Sequence, residues 1–216
     1  MGQRDLNREQ LMRGLSDYVG ERVISAMNRV NRELFVPDSL ISRAYDDTPL
    51  PIGQGQTISA PHMVAIMCEL LDLQPGYKVL EIGGGCGYHA AVMAMLVGPQ
   101  GHIYSVERIS DLAAQARRNL EKADIENVTV IQADGSPGLP EHAPYDCISV
   151  AATAPRIPEP LKEQLKIGGR MVLPVGQDRQ ILYLVTRESE DRFTLARKMD
   201  VIFVPLIGKE GYKEKV

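Results

Sequence analysis

Lys78-Val79-Leu80-Glu81-Ile82-Gly83-Gly84-Gly85-Cys86-Gly87-Tyr88-His89-Ala90-Ala91 is the stretch on which the fold turns. Its first five residues, with Val79, Leu80 and Ile82, read as a short buried parallel strand. The glycines let the chain turn tightly and let a ligand approach the backbone. Tyr88–Val97 then reads as a helix whose N-terminus favours an anionic group. Beyond it, His102–Glu107 reads as a strand, Asp111–Ala123 as a helix, and Val128–Gln132 and Tyr145–Val150 as strands. Pro158–Lys166 reads as a short helix stopped by Gly168-Gly169. This alternation predicts an α/β fold with a mostly parallel sheet and right-handed crossovers. Arg170–Val175, Gln180–Arg187 and Val201–Leu206 follow as strands without a long helix between them, which predicts an antiparallel C-terminal edge.

Upstream of the strand, Gln74-Pro75-Gly76 is a turn signal, preceded by a helix over about Ala60–Leu73. Residues 36–61 are rich in proline and glycine and read as a long irregular segment, a type that is usually functional. Leu11, Met12, Leu15 and Val19, and then Val23, Met27 and Val30, recur at helical spacing. The expected organisation is an N-terminal helical cap and lid loop over residues 1–75, with the lid around 45–62, and a core over 76–216. The two parts are expected to make one compact catalytic unit.

The 216 residues are 44% hydrophobic and 24% charged, the balance of a globular protein rather than a disordered one. The longest apolar run, Ala90–Val97, is far short of a bilayer span, and the opening MGQRDLNREQ lacks an apolar signal region. A net charge of −4 with no basic block disfavours nucleic acid as the main ligand. Cys68, Cys86 and Cys147 lie far apart with no C-x-x-C pair, so reduced thiols and no metal site are expected, in a cytoplasmic protein with no membrane partner.

Three signals stand at consecutive strand ends: the glycine loop, Glu107 and Asp134-Gly135. Glu107 lies 24 residues beyond Gly83, about where an acid grips ribose hydroxyls. Each alone has a bland reading, since glycine turns need no nucleotide and a strand-end acid is commonly solvated. Together they point to a nucleoside-bearing cofactor. Glu81, just before the first glycine, would repel a pyrophosphate but suits the cationic groups of S-adenosylmethionine. Glu81 with Gly83, Gly85 and Gly87 is expected to hold the methionine portion, Glu107 the ribose, and Asp134 and Gly135 the adenine pocket.

Further motifs carry a resemblance. Pro49-Leu50-Pro51-Ile52-Gly53, Gly55-Gln56-Thr57-Ile58-Ser59-Ala60-Pro61-His62-Met63, EIGGGCGY, Tyr104-Ser105-Val106-Glu107-Arg108-Ile109, Ala133-Asp134-Gly135-Ser136, Pro174-Val175-Gly176 and Phe203-Val204-Pro205-Leu206 run in order over roughly 45–210. They resemble the protein-L-isoaspartate O-methyltransferases, with the segment from Gln56 to His62 the specific part. The resemblance implies a Rossmann-like S-adenosylmethionine-dependent methyltransferase fold. It also implies methyl transfer to the free α-carboxylate of L-isoaspartyl residues in damaged proteins, which starts repair through a succinimide. By resemblance, Ser59 orients the acceptor as the catalytic residue, Thr57 and Ile58 cover the cofactor, and His62 lies near it. Ile58, Val204, Pro205 and Leu206 hold the substrate backbone. Two departures stand out: Gly84 and Cys86 replace a usual Thr and Ser in the loop, and VAATAP at 150–155 differs in order from the usual Thr-Ala-Ala.

From the residues alone, Ser59 before Ala-Pro and an apolar helix is a good helix N-cap. The methionines read as core filling, and Cys86 as a small packed side chain. The alternatives left open are a methyltransferase acting on a small molecule or RNA, an NAD-binding protein, and a non-catalytic binder of damaged proteins. A monomer is expected.

Overall fold

The computed structural model describes residues 2–214. Helices α1 (Gln3–Leu15) and α2 (Glu21–Arg29) lead into two 3-10 turns over 32–35 and 38–43. A hairpin, β1 (Leu50–Gly53) and β2 (Gln56–Ile58), and helix α3 (Pro61–Leu71) follow. The αβ alternation then runs β3 (Lys78–Ile82), α4 (Tyr88–Val97), β4 (His102–Glu107), α5 (Ser110–Lys122), β5 (Val128–Gln132) and β6 (Tyr145–Val150). It closes with α6 (Glu159–Glu163), β7 (Leu165–Val175), β8 (Gln180–Arg187) and β9 (Phe193–Val201).

The seven-stranded sheet has the order β5-β4-β3-β6-β7-β8-β9. Strands β3 to β7 pair in parallel, and β8 and β9 form the antiparallel edge. After β3 the chain builds β4 and β5 on one side, then returns to lay β6 on the other. The crevice at the carboxyl ends of β3 and β6 is therefore the switch point where open α/β sheets bind ligands.

Helices on both faces explain why β3 is buried from Val79 to Ile82, with the acidic Glu81 among them. Val79 joins one apolar cluster with α1 to α5, and Leu80 and Ile82 join a second with α6 and β7. Nearly every residue of α4 is buried, as befits a helix apolar all round. The segment before Gly76 has no separate core: Leu15, Met27 and Phe35 share the first cluster with Val92 and Met93 of α4.

Four local expectations are corrected. The irregular 36–61 segment contains the two-stranded hairpin, closed by Gln54 and Gly55 at positive φ. Gly168-Gly169 do not stop a helix; they lie inside β7, where the register slips between Tyr145↔Leu165 and Cys147↔Arg170. Gly168 has φ +81°, and a Cβ on Gly169 would lie 2.8 Å from the Asp146 and Lys166 carbonyl oxygens, so this bulge needs both glycines. The last strand is Phe193–Val201 rather than Val201–Leu206. Its mostly exposed residues, including Arg197, Lys198 and Asp200, protect an open edge and leave no apolar stripe to read. Residues 203–206 instead cross the end of the sheet, bridged to Thr153 through Thr153 N–H to Val204 O and Leu206 N–H to Thr153 O, both 2.8 Å.

The fourth correction concerns Ser59. Ala60 is the N-cap of α3, and no side chain of its own segment caps it. Asp47 does that work from across the lid, accepting the His62 N–H at 2.9 Å and the His62 Nδ1 at 2.9 Å. The hydroxyl of Ser59 is thereby left out of helix capping.

Candidate active site

A cleft open to solvent lies over the switch point. That is where open α/β sheets place a small-molecule site. One wall is the lid (Gln56 to Ser59), the floor is the glycine loop, a third side is Glu107 to Ile109, and the far side is Ala151, Ala152 and Val204 to Ile207.

The floor is held from several directions. Gly83 N–H donates to Val106 O, and Gly87 N–H to Gly84 O, both at 2.9 Å. Glu107 Oε2 accepts the Gly85 N–H at 2.9 Å, while its Oε1 accepts the Ile109 N–H at 2.9 Å. Asn119 of α5 donates to the Cys86 carbonyl at 3.0 Å. Gly83 and Gly85, at φ +86° and +54°, adopt backbone that side chains disfavour. The lid sits close above: a Cβ on Gly85 would lie 3.4 Å from Ile52 Cδ1, and Gln54 Nε2 donates to Asp111 Oδ2 of α5 at 2.9 Å.

Behind the floor is a buried polar group. Glu81 is wholly buried; its Oε2 accepts the Ser105 hydroxyl at 2.5 Å and its Oε1 is 3.6 Å from His89 Nδ1. Ser105 and Ser149 flank Glu81 in register on the two neighbouring strands. Burial is the main cause that pushes the Glu81 carboxyl up to about 8, against the Ser105 hydrogen bond, with Glu107 adding to the rise. Burial pushes His89 down to about 4. A Cβ on Gly84 would fall 2.3 Å from Ser105 Oγ, so the Ser105 hydroxyl occupies the space that a side chain at 84 would take.

Of the residues singled out from the sequence, Thr57, Ile58, Ser59, Gly83, Gly85, Glu107, Gly135, Val204, Pro205 and Leu206 meet around this one cleft. Four lie elsewhere. Glu81 sits beneath the loop, and Gly87 (φ +88°) packs α4 against Ala116 and Leu120 of α5. His62 is engaged by Asp47. Asp134 turns to the C-terminal segment, accepting N–H groups of Ser136 and Lys209 at 2.8 Å each. Partial burial pulls the Asp134 carboxyl up, but those N–H groups outweigh it and hold it below its ordinary value.

Ser59 is half-buried on the cleft wall, and its hydroxyl has no hydrogen bond to protein among the described residues. Its carbonyl accepts from Arg32 Nη2 at 2.8 Å. Arg32, 1% exposed, also donates through Nε to Ala44 O at 2.8 Å and stacks 4.6 Å over the Tyr88 ring, which lines the cleft. Nothing in the local pattern around Arg32 or Asp47 signals these long-range contacts. Cys86 also lines the cleft, but burial drives its thiol up to about 11, which makes it an inert packed group. Ala151 and Ala152, beyond the end of β6, could have been found from the switch-point rule.

This fold and this cleft define a Rossmann-like methyltransferase. A family model for protein-L-isoaspartate(D-aspartate) O-methyltransferase matches residues 6–211. The chain belongs to the protein-L-isoaspartate O-methyltransferase family. It is 64% identical over 209 residues to a protein-L-isoaspartate O-methyltransferase of Methanothrix thermoacetophila, covering 97% of this chain and 99% of that one. Among solved structures, a protein-L-isoaspartate O-methyltransferase superposes with a TM-score of 0.87 at 35% identity, over 94% of this chain and 66% of that one. A Plasmodium falciparum chain described by the same activity, in complex with S-adenosyl-L-homocysteine, gives a TM-score of 0.82 at 28% identity. It covers 96% of this chain and 99% of that one.

Proposed function

We propose that the cleft methylates the free α-carboxylate of L-isoaspartyl residues in damaged proteins, with Ser59 as the group that orients the acceptor. The observation that carries the reading is the unengaged Ser59 hydroxyl on the wall of a cleft that the glycine loop and Val204–Leu206 also line.

The floor fits the cofactor. Glycines at positive φ leave backbone open to close approach, and they line a cleft at the carboxyl ends of the strands. Gly83 and Gly85 would hold the methionine portion and Glu107 the ribose. Gly135 would line the adenine pocket, with Asp134 fixing the chain behind it. Glu81 and Gly87 support the loop from beneath, and His62 anchors the lid beside Thr57 and Ile58. S-adenosylmethionine supplies a methyl group on a sulfonium, an already activated leaving group.

The protein's own work is then alignment. An acceptor carboxylate, with a reference pKa of about 3.9, is ionised at neutral pH and needs no general base. Ser59 donates its hydroxyl hydrogen to one carboxylate oxygen and so points the other. The lid hairpin, pinned by Gln54 to Asp111, shuts water out of the reacting line. Ile58, Val204, Pro205 and Leu206 take the substrate backbone through generic contacts, which suits acceptors of many sequences.

The cap and lid of 1–75 and the core of 76–216 work as one unit in this reading. The protein acts as a monomer in the cytoplasm on protein and peptide acceptors, not on nucleic acid or membranes. A net charge of −4 and three buried free cysteines support that setting. Among the described residues no helix is long and apolar enough to cross a membrane.

The test compares labelling of an isoaspartyl peptide with its aspartyl twin. Methylation of the first and not the second is expected. Equal labelling, or none, rejects the substrate.

A further inference from the structure

Arg32 is a buried cation without a counter-charge. Its guanidinium forms no ion pair among the described residues, and Nη1 has no hydrogen-bond partner at all. An unpaired buried charge is costly, and burying one calls for a compensating anion. Asp47, the acid that acts on Arg32 through space, is exposed and taken up by His62. The other partners of Arg32 are neutral: the carbonyls of Ala44 and Ser59, and the face of Tyr88. Two of those three, Ser59 and Tyr88, form the wall of the cleft. The cation is thus set one residue behind the surface where an acceptor carboxylate would lie.

We propose that Arg32 is a positioning and specificity residue for the acceptor: it fixes Ser59 by its carbonyl, and its unpaired charge makes the Ser59 wall select an anionic carboxylate. This rests on the reading of Ser59 as the acceptor's partner. Two features of the fork matter separately. Nε and Nη2 bridge Ala44 to Ser59 and tie the turn before the lid to the lid's own far end, two points that are far apart in the chain. The charge itself acts through space, and in a poorly solvated wall it is weakly screened. A neutral residue of the same length would keep neither feature. Lysine would keep the charge and lose the fork.

The experiment measures binding of an isoaspartyl peptide, and of its analogue with a neutral α-carboxamide, to protein saturated with S-adenosylhomocysteine. The native protein should prefer the carboxylate by about tenfold or more, the scale of one hydrogen bond or contact to a charged group. Arg32→Met should reduce that preference towards one. Arg32→Lys should retain most of the preference while lowering kcat about tenfold, because Ser59 is then held less firmly. Should Arg32→Met not fold, Arg32→Lys still decides, since a lysine variant that loses the preference contradicts the charge argument. An Arg32→Met protein that keeps the native preference overturns the proposal. If isoaspartyl peptide is methylated normally by the native protein in that case, the proposal for Arg32 fails and the function stands. If the native protein ignores isoaspartyl peptide, the reading of the site fails first.

Discussion

The Ser105 hydroxyl donates to Glu81 Oε2 at 2.5 Å, fully buried beneath Gly84, and this bond ties two adjacent parallel strands under the floor of the cleft. Among the described residues, the other carboxyl oxygen of Glu81 and the Nε2 of His89 have no hydrogen-bond partner. A titratable pair is therefore built into the support of the loop, with Glu81 beneath it and His89 reaching the lining of the cleft.

That burial makes stability depend on pH with a calculable sign. With Glu81 raised to about 8 from 4.5, the folded protein holds a proton that the unfolded chain releases between those values, so stability falls as pH rises. With His89 lowered to about 4 from 6.5, the unfolded chain holds the extra proton, and stability rises with pH across that window. The slopes oppose each other up to about 6.5, and above it Glu81 acts alone. Urea unfolding should show a loss of stability between about pH 6.5 and 8 that is absent in Glu81→Gln. In His89→Gln the decline should begin lower, near 4.5. A flat profile above 6.5 in the native protein would place the proton elsewhere.

Glu107 accepts one N–H with each oxygen, from Gly85 and from Ile109. Glu107→Gln puts an NH₂ donor against one of those donors. Stability should drop by about 1–3 kcal/mol, the cost of an unmet buried partner. Affinity for S-adenosylhomocysteine should fall about tenfold or more, since the loop and the proposed ribose contact are lost together. Calorimetry and urea titration read the two effects separately. Unchanged affinity would remove Glu107 from the cofactor site.

Across the mouth the lid is held by the polar contact of Gln54 with Asp111, with Ile52 resting on Gly85. Such an exposed contact stabilises closure by about 0.5–1.5 kcal/mol. Gln54→Ala should weaken cofactor binding only a few-fold and leave thermal stability unchanged. Gly85→Ala should do more, because an alanine at φ +54° is strained by about 1–2 kcal/mol and its methyl meets Ile52. Stopped-flow binding should show the Gln54 effect in the off-rate, and an effect confined to the on-rate would argue against a lid.

The core of this molecule was legible because its signals are local. The run from Lys78 to Ile82 and the helix from Tyr88 to Val97 have the bounds the sequence suggested, since burial on both faces makes both segments mostly apolar. Strand β9 was not legible, because an exposed edge buries no face, and Gly168-Gly169 serve a bulge that looks the same in sequence as a helix stop. At the site, the glycines and Glu107 follow from strand-end position. Arg32, Asp47 and Ser105 do not, because each acts on a partner 15 to 27 residues away that only the folded chain brings near.

Ser59 is the residue for which the local reading and the fold part company, and it yields the most direct test. Sequence favours a helix cap; the structure gives that task to Asp47 and leaves the hydroxyl unengaged on the cleft wall. A capping serine changed to alanine would cost about 1 kcal/mol of stability. A serine that orients the acceptor would cost turnover instead. Ser59→Ala should therefore melt like the native protein and bind S-adenosylhomocysteine with nearly native affinity. Its kcat for an isoaspartyl peptide should fall about tenfold to a hundredfold, the effect of losing one orienting hydrogen bond to a charged oxygen. Asp47→Ala should show the reverse, losing about 1 kcal/mol of stability through the cap of α3. A Ser59→Ala protein that is destabilised but turns over normally would return the serine to a structural role.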